Sequence, residues 1–123
     1  MHPAQVLILE DEEQLAENLK TFLGRYVADV RIALDADAAM AMLGSFAPDL
    51  VVLDYGLPGI DGLRAHEKIV HSSPKPPRCV LMSGELTEAI AERARQQGIR
   101  HHLCKPFGFA ELQHAINESM RDG

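Results

Sequence analysis

The sequence predicts a three-layer α/β/α sandwich built on a five-stranded parallel sheet with five helices. Three observations predict it. Five short apolar runs alternate with five segments of helical periodicity along the 123 residues. Each intervening segment is long enough to return the chain to the same edge of a sheet, which parallel pairing requires. The strand-like runs are also near-continuously apolar, as expected where helices cover both faces.

Gln5 to Leu9 (QVLIL) is the first strand-like run. From Glu12 to about Arg25, Leu15, Leu19, Phe22 and Leu23 recur at helical spacing. Val27 to Leu34 is a weaker strand, and Asp35 stands as N-cap before an Ala- and Met-rich helix ending near Leu43-Gly44. Leu50 to Leu53 forms the third strand and ends on Asp54. A helix from about Gly62 to His71 follows, then the breaker cluster Ser72-Ser73-Pro74-Lys75-Pro76-Pro77. Arg78 to Met82 reads as the fourth strand and Glu85 to Gln97 as a helix stopped by Gly98. Ile99 to Cys104 is the fifth strand. The last helix runs from about Gly108 to Met120, with Phe109, Leu112, Ile116 and Met120 on one face.

No repeat, low-complexity segment or linker divides the chain, so 1–123 is expected to be a single domain. A domain of this size buries roughly two thirds of its unfolded surface. The formal net charge of -6 argues against a direct nucleic-acid or anionic-membrane surface. No apolar run approaches the ~20 residues that span a bilayer, and the N-terminus lacks a signal pattern, so a cytoplasmic location is expected. Cys79 and Cys104 lie in apolar runs without paired-ligand spacing and read as reduced core thiols.

In a parallel sheet the carboxyl ends of the strands share one edge, where ligands bind. Strand one runs into Glu10-Asp11-Glu12-Glu13, strand three ends on Asp54, strand four on Ser83-Gly84 and strand five on Lys105-Pro106-Phe107. Each group has an ordinary structural reading. Asp54 could cap the loop that follows it. The acidic run could favour a helix N-terminus, worth ~0.3–1 kcal/mol. Ser83-Gly84 could be a plain turn, and Lys105 a surface charge or an ion-pair partner of Asp54. Their convergence is harder to explain that way. Crowded carboxylates repel, and a hard divalent cation such as Mg²⁺ relieves the repulsion. The edge therefore reads as a metal-assisted phosphoryl site.

Four motifs, LILEDEE, VVLDYGLPGIDG, VLMSGE and CKPF, occur in order at the four strand ends. With them the whole chain resembles the response-regulator receiver domain of two-component signalling, the CheY-like family. The pattern alone does not give a strand order; the resemblance implies the flavodoxin-like order 2-1-3-4-5. It implies that Asp54 accepts a phosphoryl group from a histidine kinase or histidine phosphotransfer protein. It further implies that Asp11, Asp54, the Gly56 carbonyl and the acidic position Glu10 form the Mg²⁺ site. Ser83 and Lys105 would contact phosphoryl oxygens, and the Lys105-Pro106 peptide would be cis. The implied function is a phosphorylation-dependent switch, not an enzyme acting on a separate metabolite. The helix 4–strand 5–helix 5 face would control an effector or linked output domain, and could support a phosphorylation-linked dimer.

Two positions depart from the family pattern. Glu10 stands where many receivers have Asp. His102 occupies the switch position where Tyr or Phe is common, and an imidazole there would alter the switch or make it pH-sensitive. The alternative for His102 is an ordinary strand residue. The histidines of His66-Glu67-Lys68-Ile69-Val70-His71 are five apart and do not share a helix face well, so zinc is not expected there. Two other functions compete with the switch. One is a phosphorylation-independent interaction module, which the complete acidic, hydroxyl and lysine set opposes. The other is an aspartyl-phosphate hydrolase, which lacks a general acid at Gly56.

Overall fold

The computed structural model describes residues 3–121. Its elements are β1 (Gln5–Leu9), α1 (Glu13–Leu23), β2 (Asp29–Ala33), α2 (Ala36–Met42), β3 (Leu50–Asp54), α3 (Gly62–Ser72), β4 (Arg78–Ser83), α4 (Glu88–Gln96), β5 (His101–Cys104) and α5 (Phe109–Arg121). All four strand pairings are parallel, and the order is β2-β1-β3-β4-β5, as the resemblance implied. No described helix is long and apolar enough to cross a membrane.

Side chains alternate across a strand, so each apolar run feeds two cores. Leu7, Leu9, Val51, Leu53 and Leu81 point toward α2, α3 and α4, where Ala39, Leu63, Ile69 and Ala94 meet them. Val6, Ile8, Leu50, Val52, Val80 and Met82 point toward α1 and α5, against Leu19, Leu23, Leu112 and Ile116. That double burial is why β1 and β3 carry no polar alternation. Phe109 is half exposed and stacks on Phe22 of α1, with ring centroids 4.4 Å apart.

The cap expected at Asp35 forms, and Asp61 caps the third helix in the same way. The Asp35 carboxylate accepts the Ala38 N–H at 2.7 Å, and that of Asp61 accepts the Arg64 N–H at 2.9 Å. Elsewhere the boundaries move. The fourth helix begins at Glu88 rather than Glu85, because Thr87 is its N-cap and accepts the Ile90 N–H. Ile99 is not in β5: its N–H bonds back to the Ala94 carbonyl and closes the end of α4. Val27 likewise donates to Leu23 and finishes α1, so β2 starts two residues later. Cys79 is buried, but Cys104 is exposed, which corrects its reading as a core thiol. β5 is an edge strand, and its last residue is left open to solvent.

Candidate functional site

Strand register assembles the site. Leu9 pairs with Leu53 and Leu53 with Leu81, so Glu10 and Asp54 emerge side by side at the carboxyl edge. Ser83 pairs with Cys104, which brings Lys105 alongside. The Lys105 N–H donates to the Ser83 carbonyl at 2.8 Å, and the Lys105-Pro106 peptide is cis, as expected.

Glu10 has no solvent exposure, Asp54 retains 5% and Ser83 3%, whereas Asp11 is exposed. Ligand oxygens of Glu10, Asp11 and Asp54 all lie within 4.8 Å of one another. Among the described residues this is the one group of three or more His, Cys, Asp or Glu side chains close enough to hold a metal ion. The donors are all oxygen, and exposed Asp11 gives the group an open side. Such a set fits a hard, partly hydrated cation of the Mg²⁺ type.

Lys105 bridges the two buried acids. Its Nζ lies 2.6 Å from Glu10 Oε1 and 3.0 Å from Asp54 Oδ1. The second Glu10 oxygen accepts the Glu12 N–H at 3.1 Å. Burial pushes the Glu10 carboxyl above its usual range, against the pull of Lys105 and the Glu12 amide. Burial alone would lower the Lys105 pKa, but its hydrogen bonds to Glu10 and Asp54 outweigh it and hold the ammonium above normal.

The loop after Asp54 is fixed by backbone contacts. Tyr55 N–H donates to the Met82 carbonyl at 2.8 Å, and Gly62 N–H donates to the Tyr55 carbonyl at 2.7 Å. At Gly62 a Cβ would stand 2.2 Å from the Asp54 carbonyl oxygen, so only glycine lets α3 start this close to the Asp54 backbone. Gly56 lies against Asp54: a Cβ there would be 3.7 Å from Asp54 Oδ2, an ordinary contact. The buried Ser83 hydroxyl donates to the Glu85 carbonyl at 2.8 Å and so pins the turn before α4.

A match to the response regulator receiver domain model covers residues 6–117. The chain belongs to the response-regulator receiver family. This receiver is 34% identical over 110 residues to the transcriptional regulatory protein CutR of Streptomyces coelicolor, covering 88% of this chain and 49% of that protein. It is 30% identical over 118 residues to the two-component response regulator PhoP of Pseudomonas aeruginosa, covering 95% and 52%. Among solved structures it resembles the signal receiver domain of a DNA-binding response regulator from Colwellia psychrerythraea. That match has a TM-score of 0.82 at 28% identity, covering 96% of this chain and 98% of the other. The receiver spans about half the length of the two curated relatives named here.

Among the described residues no histidine joins the acidic group. His66 is buried, and its Nδ1 lies 2.9 Å from Gln97 Oε1, which accounts for it structurally. His102 pairs in register with Leu81, and its buried Nε2 has no hydrogen-bond partner among the described residues. The ion pair of Lys105 with Asp54, one of its ordinary readings from sequence, forms, but the shorter contact with Glu10 was not foreseen. The reading also missed Arg93, whose guanidinium reaches Tyr55 and Asp61 on either side of the loop after Asp54. A lone Arg in a charged helix carries no sequence signal for such a reach.

Proposed function

We propose that Asp54 is the phosphoacceptor of a two-component or phosphorelay switch that uses Mg²⁺. The observation that carries this reading is the placement of a nearly buried Asp54 between the Lys105 ammonium and the acidic pair Glu10 and Asp11. Asp11, Asp54 and the Gly56 carbonyl would hold the ion, with Glu10 as the further acidic position. When bound, the ion supplies positive charge at the phosphoryl oxygens and offsets carboxylate repulsion.

An Asp54 carboxylate oxygen attacks the phosphorus of a phosphohistidine donor. The new P–O bond forms as the N–P bond breaks, and the imidazole nitrogen keeps the electron pair and takes a proton. Lys105 neutralises one phosphoryl oxygen, and Ser83 donates to another after leaving Glu85. Water attacking the same phosphorus breaks the Asp54 P–O bond, releases inorganic phosphate and restores the carboxylate. The switch then acts on the face formed by α4, β5 and α5, with His102 within it, to control an effector or linked output domain. The donor is a histidine kinase or histidine phosphotransfer protein, and the setting is cytoplasmic.

Incubation with Mg²⁺ and acetyl phosphate, read by intact mass, tests the assignment. Wild type should gain one labile phosphoryl group, and Asp54→Asn none. No adduct on wild type would leave a passive interaction module as the better reading. Rapid turnover of unrelated phosphoesters would favour a hydrolase.

A further inference from the structure

Helix α4 is attached differently from its neighbours. Of its nine residues only Ala94 is buried, and Ile90 packs partly on the core. By contrast α3 buries Leu63, Ala65, His66 and Ile69, and α5 buries Leu112, Ala115 and Ile116. Helices of this length draw most of their stability from a buried apolar face, and one methyl group is a small one.

Polar side chains supply the remaining attachment, and they lead to α3 and the loop before it. The Arg93 guanidinium reaches the Tyr55 hydroxyl at 3.4 Å and both Asp61 carboxylate oxygens at 3.3–3.4 Å. At the far end of the helix, Gln97 Oε1 lies 2.9 Å from Nδ1 of buried His66, and its Nε2 lies 3.5 Å from Glu67 Oε1. Tyr55 directly follows Asp54, Asp61 caps α3, and Gly56 lies between them. Arg93 therefore grips both ends of the loop that leaves Asp54.

We propose that Arg93 is a positioning residue, a latch that makes the seating of α4 and the geometry of the Asp54 loop depend on each other. Its signalling consequence rests on the phosphoacceptor reading, but the latch itself belongs to the unphosphorylated chain. Coupling of this kind is reciprocal. If metal binding at the loop steadies α4, then freeing α4 weakens metal binding by the same factor. The side chains are 44% exposed at Arg93 and 32% at Asp61, so solvent limits the effect to about two- to fivefold.

Hydrogen exchange on the full chain tests the latch, with Mg²⁺ affinity measured in parallel by calorimetry. Arg93→Ala should speed exchange of the 88–96 amides about two- to fivefold and weaken Mg²⁺ binding by a similar factor. The 50–54 amides of β3 should stay as protected as in wild type. Arg93→Lys, which keeps the charge but not the fork, should recover only part of both effects. Unchanged α4 exchange would overturn the proposal, and so would loosening of β3 and α4 together, which means general destabilisation. Faster α4 exchange with unaltered Mg²⁺ affinity would overturn the coupling. Failure of acetyl phosphate to modify wild type would sink the phosphoacceptor reading without touching the exchange result.

Discussion

Lys105 sits closer to Glu10 than to Asp54: its Nζ is 2.6 Å from the Glu10 carboxylate and 3.0 Å from that of Asp54. The lysine therefore neutralises a fully buried acid as well as facing the proposed nucleophile. Removing it leaves Glu10 without a cation in a place water does not reach.

Lys105→Ala is accordingly expected to lower stability by about 2–4 kcal/mol at neutral pH, near the cost of stranding one member of a buried pair. The midpoint of urea unfolding measures it. Saturating Mg²⁺ should restore part of the loss, because a ligand that binds only the folded chain stabilises it. An unshifted midpoint would mean that the ion pair contributes nothing to the resting fold.

Gly62 and Gly56 make a matched pair of tests. Gly62→Ala drives a methyl to 2.2 Å from the Asp54 carbonyl oxygen, so the start of α3 must move. A loss of about 2–4 kcal/mol is expected, together with a reduced yield of phosphorylated protein. Gly56→Ala meets Asp54 Oδ2 at 3.7 Å and should leave the thermal midpoint nearly unchanged. Equal behaviour of the two variants would contradict the steric account.

Ser83→Ala removes the bond to the Glu85 carbonyl and should cost about 1 kcal/mol. Ser83→Thr keeps the hydroxyl and should lose less. Chemical denaturation of both variants distinguishes the lost bond from the lost volume. A larger loss in the threonine variant would show that space around residue 83, and not the bond, is limiting.

Burial holds the His66 pKa below that of a free histidine, against the pull of Gln97 and Glu67. The unfolded chain then binds more protons than the folded one below about pH 6.5, so stability is full above that value and falls as the pH drops. His102 is shifted in the same direction by burial and by neighbouring His101, and adds to the slope. Urea midpoints between pH 7.5 and 5.5 should show a shallower slope for His66→Leu than for wild type. Comparing the two chains cancels the opposing contribution of Glu10, whose carboxyl is raised. Parallel slopes would mean that His66 titrates as a free histidine.

The two thiols should separate in a labelling experiment. Cys104 is exposed, whereas Cys79 is buried and its pKa is pushed far up by burial. A maleimide should add once to the native protein, at Cys104, and twice after unfolding. Native labelling of Cys79 would indicate that the strand β4 layer opens readily.

The fold was legible wherever burial dictated residue type. Val6 to Leu9 and Leu50 to Leu53 are apolar because both faces are covered, and no loop chemistry competes with that signal. Asp35, as a helix cap, was equally plain. The start of α4 was not, because Glu85 and Leu86 favour helices, while the Ser83 bond to the Glu85 carbonyl holds the turn and Thr87 caps the helix two residues later. Glu10, Asp54, Ser83 and Lys105 were readable as candidates because each lies at or just beyond a strand end. Their detailed pairing was not, since a strand-end motif does not encode that one Lys105 ammonium reaches both Glu10 and Asp54.

The paired registers of β1, β3 and β4 carry a wider consequence. Both faces of these strands are packed, so a slip of one residue would send each side chain into the opposite core. The same slip would carry Asp54 about 3.3 Å along its strand and turn its carboxylate away from Glu10. Errors of strand alignment would thus forfeit apolar burial and the acidic cluster together. A chain that has assembled its carboxylates has, by that fact, threaded its sheet correctly, so correct folding and formation of the acidic cluster become one condition.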